Sequence, residues 1–401
     1  MKKVTVVGGG FSGLVTAYYL SREGFAVDLH EASHRLGGLL GSERTKNGLV
    51  ETAANGFINC DDLEDLFKDL GLEPLKPQAH AKKRFIYRDG LKRWPLKFFE
   101  SLGLATKFLF KLFLAKKSLR PTNQETIFNW GLRNLSPSAT DYLLGPGLQG
   151  IYAGDIRRMS AELVLGPLFQ GGKKKKYRGT VSLANGMGDF VMSLVQKLST
   201  QGVKIHLNSK YKVESLSEPH VVAVSASAVP SVIEKVAPQA AAELQKIEVL
   251  PVLSVTVFYK EAPKKIEGFG ALFPADQGFK VLGVLSPTYI FANRGPEYSE
   301  TWIFGGTHSP EMLLKSESEL REIILAERAK ILGSSAEIKD IHIYPWPKAL
   351  PHYTLAHQEI LKNLHLPQNL YLAGNYLGVI GLSKILSRSK ELASQMKRTH
   401  S

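Results

Sequence analysis

The chain opens on a short run of apolar and β-branched residues, Val4-Thr5-Val6-Val7. It stops at Gly8-Gly9-Gly10-Phe11-Ser12-Gly13 and passes into a helical spacing of apolar side chains. A strand, a glycine turn and a helix are predicted in that order. A second apolar strand, Ala26-Val27-Asp28-Leu29, ends just before Glu31. Helices are predicted as far as about Leu165, interrupted at Leu135-Ser136-Pro137-Ser138 and at Leu144-Gly145-Pro146-Gly147. A helix at Asp189–Leu198 and short strands at Lys204–Leu207, Tyr211–Leu216 and Val221–Val224 follow. The pattern then becomes β-rich, at Val249–Tyr259, Ala271–Phe273, Val281–Leu285, Thr301–Phe304 and Ile341–Tyr344, with one long helix over Ser316–Leu332. A last strand at Tyr371-Leu372-Ala373 turns at Gly374-Asn375 into a helix from Leu382 to about Met396. The class is α/β with two sheets, and the absence of repeats or a low-complexity linker predicts interleaved domains.

The first turn carries the chemistry. Gly8 permits the tight turn, Gly10 lets a pyrophosphate approach the backbone, and Gly13 lets helix and strand pack closely. Helix N–H groups and the positive end of the helix dipole then face the phosphates. Glu31, about 20 residues on, stands where a carboxylate holds ribose hydroxyls. Past the second strand, Arg35-Leu36-Gly37-Gly38 adds a cation and a second glycine pair, which separates flavin from nicotinamide binding. With the late Tyr371–Asn375 segment, this order resembles the flavin-containing amine oxidase superfamily.

Length and composition suit a large enzyme, because 401 residues at 44% hydrophobic content can form two or three domains. The single cysteine, Cys60, permits no intramolecular disulfide. No signal peptide is predicted, since the first apolar run is only four residues long and belongs to the nucleotide turn. The net charge of +14 is concentrated between Leu91 and Arg120, where eight basic residues stand against one acid, Glu100. Trp94, Phe98, Phe99, Phe108, Phe110, Phe113 and several leucines fill the same stretch, yet no uncharged run is long enough to cross a bilayer. Lys107 and Lys111 share a helix face, so the expected role is binding to an anionic membrane surface. A core helix with snorkelling lysines is the bland alternative. Nucleic acid ranks behind both and is not an expected partner, since the aromatics lie within a helical apolar pattern and no nucleic-acid module accompanies the charges. The run Lys173–Lys176 reads as a solvated loop that could also meet lipid or an acidic substrate.

Further segments resemble the protoporphyrinogen oxidase branch of the superfamily over nearly the whole chain. They are Lys83–Tyr87, Gln149–Asp155 with Met159-Ser160, Glu267–Pro274, Trp346 through Ala349–His357, and Gly374-Asn375-Tyr376 with Gly378-Val379. The resemblance implies a discontinuous Rossmann-like FAD-binding domain (1–79, 179–232 and 365–401). It also implies a β-rich substrate domain (80–93, 164–178 and 233–364) and a helical membrane-binding insertion (94–163). Non-covalent FAD is implied at Gly8, Gly10, Phe11, Ser12, Gly13, Glu31, Ala32, Arg35, Gly37, Gly38 and Gly56. Val213 would add backbone contacts near the adenine, and Trp346, Gly374, Asn375, Gly378 and Val379 complete the set.

The implied reaction takes six electrons from a porphyrinogen in three flavin turnovers, with oxygen as acceptor, in heme biosynthesis. Hydride transfer from a methylene bridge needs orientation and dryness more than an acid or base, so no catalytic side chain is required. Arg84 is implied to pair with a propionate, Gly150 to lie beside the macrocycle, and Phe269, Leu272 and Ile303 to sandwich it. Core packing explains those three apolar residues equally well. His352 and His357 are read as structural hydrogen-bonding residues, and no metal is expected. The expected location is cytoplasmic, on the inner face of the cell membrane, with neighbouring heme-pathway enzymes or a second copy as candidate partners. Three alternatives stay open: a coproporphyrinogen oxidase of the same family, suited by Lys82, Lys83 and Lys173–Lys176; a flavin oxidase of amines or carotenoids; and a flavin-free lipid carrier of this fold.

Overall fold

The computed structural model describes residues 2–93, 119–169, 178–334 and 336–400. Most of the basic apolar stretch and the Lys173–Lys176 run lie outside the described residues. Among those described, no helix is long and apolar enough to cross a membrane.

One sheet has five parallel strands in the order Leu370–Leu372, His220–Val222, Lys3–Val7, Ala26–His30, Lys204–His206. Three distant stretches of chain therefore build it. Its inner strands are buried on both faces, which is why Val4-Thr5-Val6-Val7 reads as a continuous apolar run. One face packs Val4, Val6 and Leu29 against the helices Phe11–Arg22, Met187–Thr200 and Leu382–His400. The other packs Val7 and Val222 against Val213, Ile233 and Tyr376. The Leu382–His400 helix runs one turn beyond the predicted end, and its Ser389 receives a buried hydrogen bond from Thr16, 2.9 Å away.

The second sheet has seven strands in the order Ile338–Pro351, Val249–Tyr259, Tyr298–Gly305, Gly283–Leu285, Gly270–Leu272, Phe85–Tyr87, Leu91–Arg93. All neighbours are antiparallel except the pair Gly270–Leu272 and Phe85–Tyr87. The helix Glu317–Leu332 covers one face, burying Ile324 and Ile331 on Val255, Val257, Trp302 and Phe304. Between them Arg328 Nε donates to both carboxylate oxygens of Glu300 at 3.2 Å, so neither buried charge is left alone.

Two expectations fail. Tyr211–Leu216 is not a strand; Val213 is fully buried, but its N–H donates to the Val232 carbonyl (2.9 Å) and joins no ladder. Both sites beside Lys3–Val7 in the sheet are already taken, by His220–Val222 and Ala26–His30. Nor is the chain broken at Leu144–Gly147. A π-helical turn, Thr140–Leu144, runs directly into the helix Gly145–Tyr152, with proline in its first turn. Leu144 (φ −73°, ψ −48°) and Gly145 (φ −57°, ψ −62°) are both helical, so Pro146 lies within a continuous helical run, and the π-helical turn before it accommodates its missing N–H.

Candidate active site

The glycine turn closes as its residue types require. Gly8 has φ +107°, a conformation in which a side chain is strained, and its N–H donates to the His30 carbonyl at 2.8 Å. A Cβ on Gly13 would stand 1.8 Å from the Gly8 carbonyl oxygen, so only glycine lets the helix start so close to the strand. Gly10 differs, because the nearest heavy atom to a Cβ there is the Gly38 Cα at 3.8 Å. The space beside Gly10 is open to a ligand.

The helix Phe11–Arg22 has no side-chain cap and no acid in its first turn, so the Phe11, Ser12 and Gly13 end presents amides to an anion. The second glycine pair packs against the first, with Gly37 N–H donating to the Gly9 carbonyl at 2.9 Å. Arg35 reaches the backbone rather than outward: its guanidinium donates to the carbonyls of Gly38 (2.6 Å) and Leu40 (3.3 Å) and sets the shape of that loop. Glu31 accepts from Gly9 N–H on Oε2 (2.7 Å) and from Ser33 on Oε1. Oε2 keeps a lone pair for a hydroxyl donor. Ala32 is exposed beside it. These features fit a dinucleotide at the carboxyl ends of Lys3–Val7 and His220–Val222, where the strand order reverses. Val213, expected near the adenine, donates its own N–H to the Val232 carbonyl at 2.9 Å.

The segment Glu51–Gly56 lies where the two sheets approach. Trp346, on the edge strand of the second sheet, donates from Nε1 to the Thr52 carbonyl at 2.9 Å. A Cβ on Gly56 would stand 2.5 Å from the Val181 carbonyl. The closing segment is held similarly: the Tyr353 hydroxyl donates to the Asn375 carbonyl, Gly374 lies against the Tyr376 ring, Gly378 is left-handed at φ +85°, and Val379 packs on the core containing Phe11 and Phe57. His357 donates from Nε2 to the Tyr376 carbonyl (2.8 Å) and is buried, which lowers its pKa to about 4. His352 sits against Glu248 at 3.1 Å, consistent with a structural role for both histidines.

One buried pair here is missing from the sequence reading. Glu51 and Arg294 are 4% and 3% exposed and stand 3.6 Å apart. Glu51 also accepts from the Ser42 hydroxyl and the Met187 N–H, and Arg294 donates to the Ser182 hydroxyl at 2.6 Å. Neither residue lies in a recognisable motif, and their 243-residue separation leaves no local signal. Burial raises the Glu51 carboxyl to about 7, against the pull of Ser42, Arg294 and the Met187 amide. Folding thus favours its protonated form. Its stabilising contribution is complete below about pH 4.5 and is lost as pH rises towards 7. Glu51→Gln is expected to flatten the dependence of Tm on pH between about 5 and 8. Parallel thermal-melt profiles for variant and wild type would assign that titration elsewhere.

A cavity of about 430 Å³ opens between the second sheet and the helix Gly145–Tyr152. Arg84, Gly150, Phe269, Leu272 and Ile303 all line it, so the five residues expected to bind substrate converge from four separate elements. Arg84 stacks on Phe269, its guanidinium carbon 4.7 Å from the ring centroid. Among the described residues it is the only charged group in the wall, and no carboxylate pairs with it. A Cβ on Gly150 would stand 2.8 Å from Leu272 Cδ2, so glycine there lets roof and floor approach closely. The roof also supplies Leu143, Leu144, Leu148 and Ile151, which the sequence reading passed over. Their spacing, apolar at 144, 148 and 151, is one helical face, and it was the signal available.

The model of the flavin-containing amine oxidoreductase family matches residues 11–381. The chain belongs to this family. It is an FAD-dependent oxidoreductase, and the open cradle at Gly10 agrees with that cofactor. Among its relatives, protoporphyrinogen oxidase 2 of Arabidopsis thaliana, chloroplastic/mitochondrial, is 27% identical over 96% of this chain and 92% of its own length. Human protoporphyrinogen oxidase is 25% identical over 90% of each chain. These relatives support the protoporphyrinogen oxidase resemblance of the sequence. The fold recurs in a crystal structure from Exiguobacterium sp. 255-15, with a TM-score of 0.81 at 20% identity over 100% of this chain and 99% of that one. It recurs also in cyclohexylamine oxidase from Brevibacterium oxydans, with a TM-score of 0.75 at 16% identity over 99% of both.

Proposed function

We propose that this flavoprotein oxidises protoporphyrinogen IX to protoporphyrin IX in heme biosynthesis, with oxygen as the final acceptor. The observation that carries the reading is the cavity wall, apolar throughout except for Arg84 at one edge. A macrocycle that is apolar over most of its surface and carries its carboxylates on one side matches that distribution, and the cavity volume suits a ligand of this class. Bound FAD supplies the two-electron acceptance that each of the three oxidation steps needs. The protein's own task is to bind, orient and keep dry. Arg84 offers N–H donors to a propionate, Phe269, Leu272 and Ile303 bear on the ring, and the Gly150 backbone lies beside it. Leucines of the roof exclude water from the methylene bridge that loses hydride.

Coproporphyrinogen is the second reading, yet four carboxylates would meet one cation among the described wall residues. An amine substrate would want an acceptor or an aromatic cage in place of Arg84. Anaerobic mixing of the FAD-loaded protein with each porphyrinogen tests the choice. Flavin bleaching is expected with both and faster with protoporphyrinogen; bleaching by neither would end the reading.

The basic stretch between Leu91 and Arg120 is assigned to an anionic membrane surface on its interleaved lysines and aromatics. Sedimentation with anionic vesicles should be strong at low salt and weaken as salt screens the lysines, with little binding to neutral vesicles. Absence of binding to either kind would remove the assignment.

A further inference from the structure

Lys83 sits immediately before Arg84, which lines the cavity. Its carbonyl accepts from Phe269 N–H at 2.8 Å, and Gly268 packs so closely that a Cβ there would stand 2.5 Å from the same oxygen. The backbone on which Arg84 and Phe269 stack is therefore fixed, and Lys83 is fixed with it. The Lys83 ammonium does not stand free beside the cavity. It lies 3.3 Å from Oε2 of Glu267, while His80 Nδ1 lies 3.3 Å from Oε1 of the same carboxylate. One acid, two residues before Phe269, thus engages both Lys83 and His80.

We propose that Glu267 is a specificity-determining residue that limits how many carboxylates the rim accepts, favouring a macrocycle with two over one with four. The proposal rests on the porphyrinogen reading above. An additional carboxylate approaching the rim meets the Glu267 charge and must draw Lys83 away from it, whereas the first carboxylate finds Arg84 without an acidic partner among the described residues. This is discrimination by repulsion together with withdrawal of an attractive group. All three members of the cluster are more than a third exposed in their side chains, so the pair adds little to stability and its removal leaves the fold intact.

Glu267→Gln keeps the shape, removes the charge and releases Lys83. Spectroscopic titrations with protoporphyrin IX, which has two carboxylates, and coproporphyrin III, which has four, should be made on the FAD-loaded wild type, Glu267→Gln and the double variant Glu267→Gln with Lys83→Gln. The KM values for the two porphyrinogens should be measured alongside. In Glu267→Gln the affinity ratio is expected to move towards coproporphyrin by roughly two- to fivefold at low salt, as for an exposed ion pair. The double variant should return to the wild-type ratio, and kcat should be unchanged throughout. An unchanged ratio in Glu267→Gln, or a gain that survives loss of Lys83, overturns the role of Glu267 while leaving the porphyrinogen reading standing. A wild type that binds neither porphyrin and oxidises neither porphyrinogen overturns both.

Discussion

Arg84→Ala should lower kcat/KM for porphyrinogen oxidation by roughly ten- to hundredfold, the worth of one charged hydrogen bond, while flavin content stays at the wild-type level. The guanidinium lies across Phe269, at one edge of a cavity whose remaining described wall is uncharged, so nothing else there holds a carboxylate. Losing it should raise KM. It should also lower kcat, because an apolar slot still admits the ring but no longer fixes its rotation, and the methylene bridge then presents itself badly for hydride transfer. Steady-state kinetics of the flavin-loaded variant separate the two effects. A rise in KM alone would mean that Arg84 binds substrate and transition state equally; wild-type values of both would make it a surface cation.

Gly10→Val should abolish flavin retention without unfolding the protein. Gly10 has φ −72°, which any residue adopts, and a Cβ there meets no protein atom closer than 3.8 Å. The new side chain instead fills the approach to the first helical amides, each worth about 1.5–3 kcal/mol to a bound phosphate. The purified variant should lack flavin absorbance, while its Tm matches that of wild type stripped of flavin. Gly13→Ala is the contrasting case. Its methyl would stand 1.8 Å from the Gly8 carbonyl, so the strand and helix must separate and the Tm of the apo form should fall as well. A Gly10→Val protein that keeps its flavin would place the pyrophosphate elsewhere.

These sites were visible in the sequence to different degrees, for physical reasons. The glycine turn is legible because each glycine answers a local demand: a positive φ at Gly8, a close approach at Gly13, open space at Gly10. The strand Val249–Tyr259 has the predicted boundaries because its β-branched and aromatic run is paired on both sides within the sheet. By contrast, Ile338–Pro351 was reduced to Ile341–Tyr344 by its prolines at 345, 347 and 351. It is an edge strand, where an N–H turned away from the single neighbour can be dispensed with. Tyr211–Leu216 has strand composition but joins no ladder, its buried Val213 bonding the Val232 carbonyl instead, a tertiary fact. The Glu51–Arg294 pair is invisible for a similar reason: burial creates its chemistry, and burial is settled by segments far apart in the chain.

The five-stranded sheet also governs when this protein can become active during its synthesis. Lys3–Val7 emerges first but pairs with His220–Val222, and that strand in turn needs Leu370–Leu372 at its other side. The helix that buries Thr16 against Ser389 comes later still. At ordinary translation rates of about 5–20 residues per second, the N-terminal glycine turn waits some tens of seconds for the strands and helix that stabilise it. Contacts of such long sequence separation close slowly even then. FAD capture is thus expected to follow translation of the C-terminal helix, with the apolar flanks of Lys3–Val7 in need of shelter from aggregation until then.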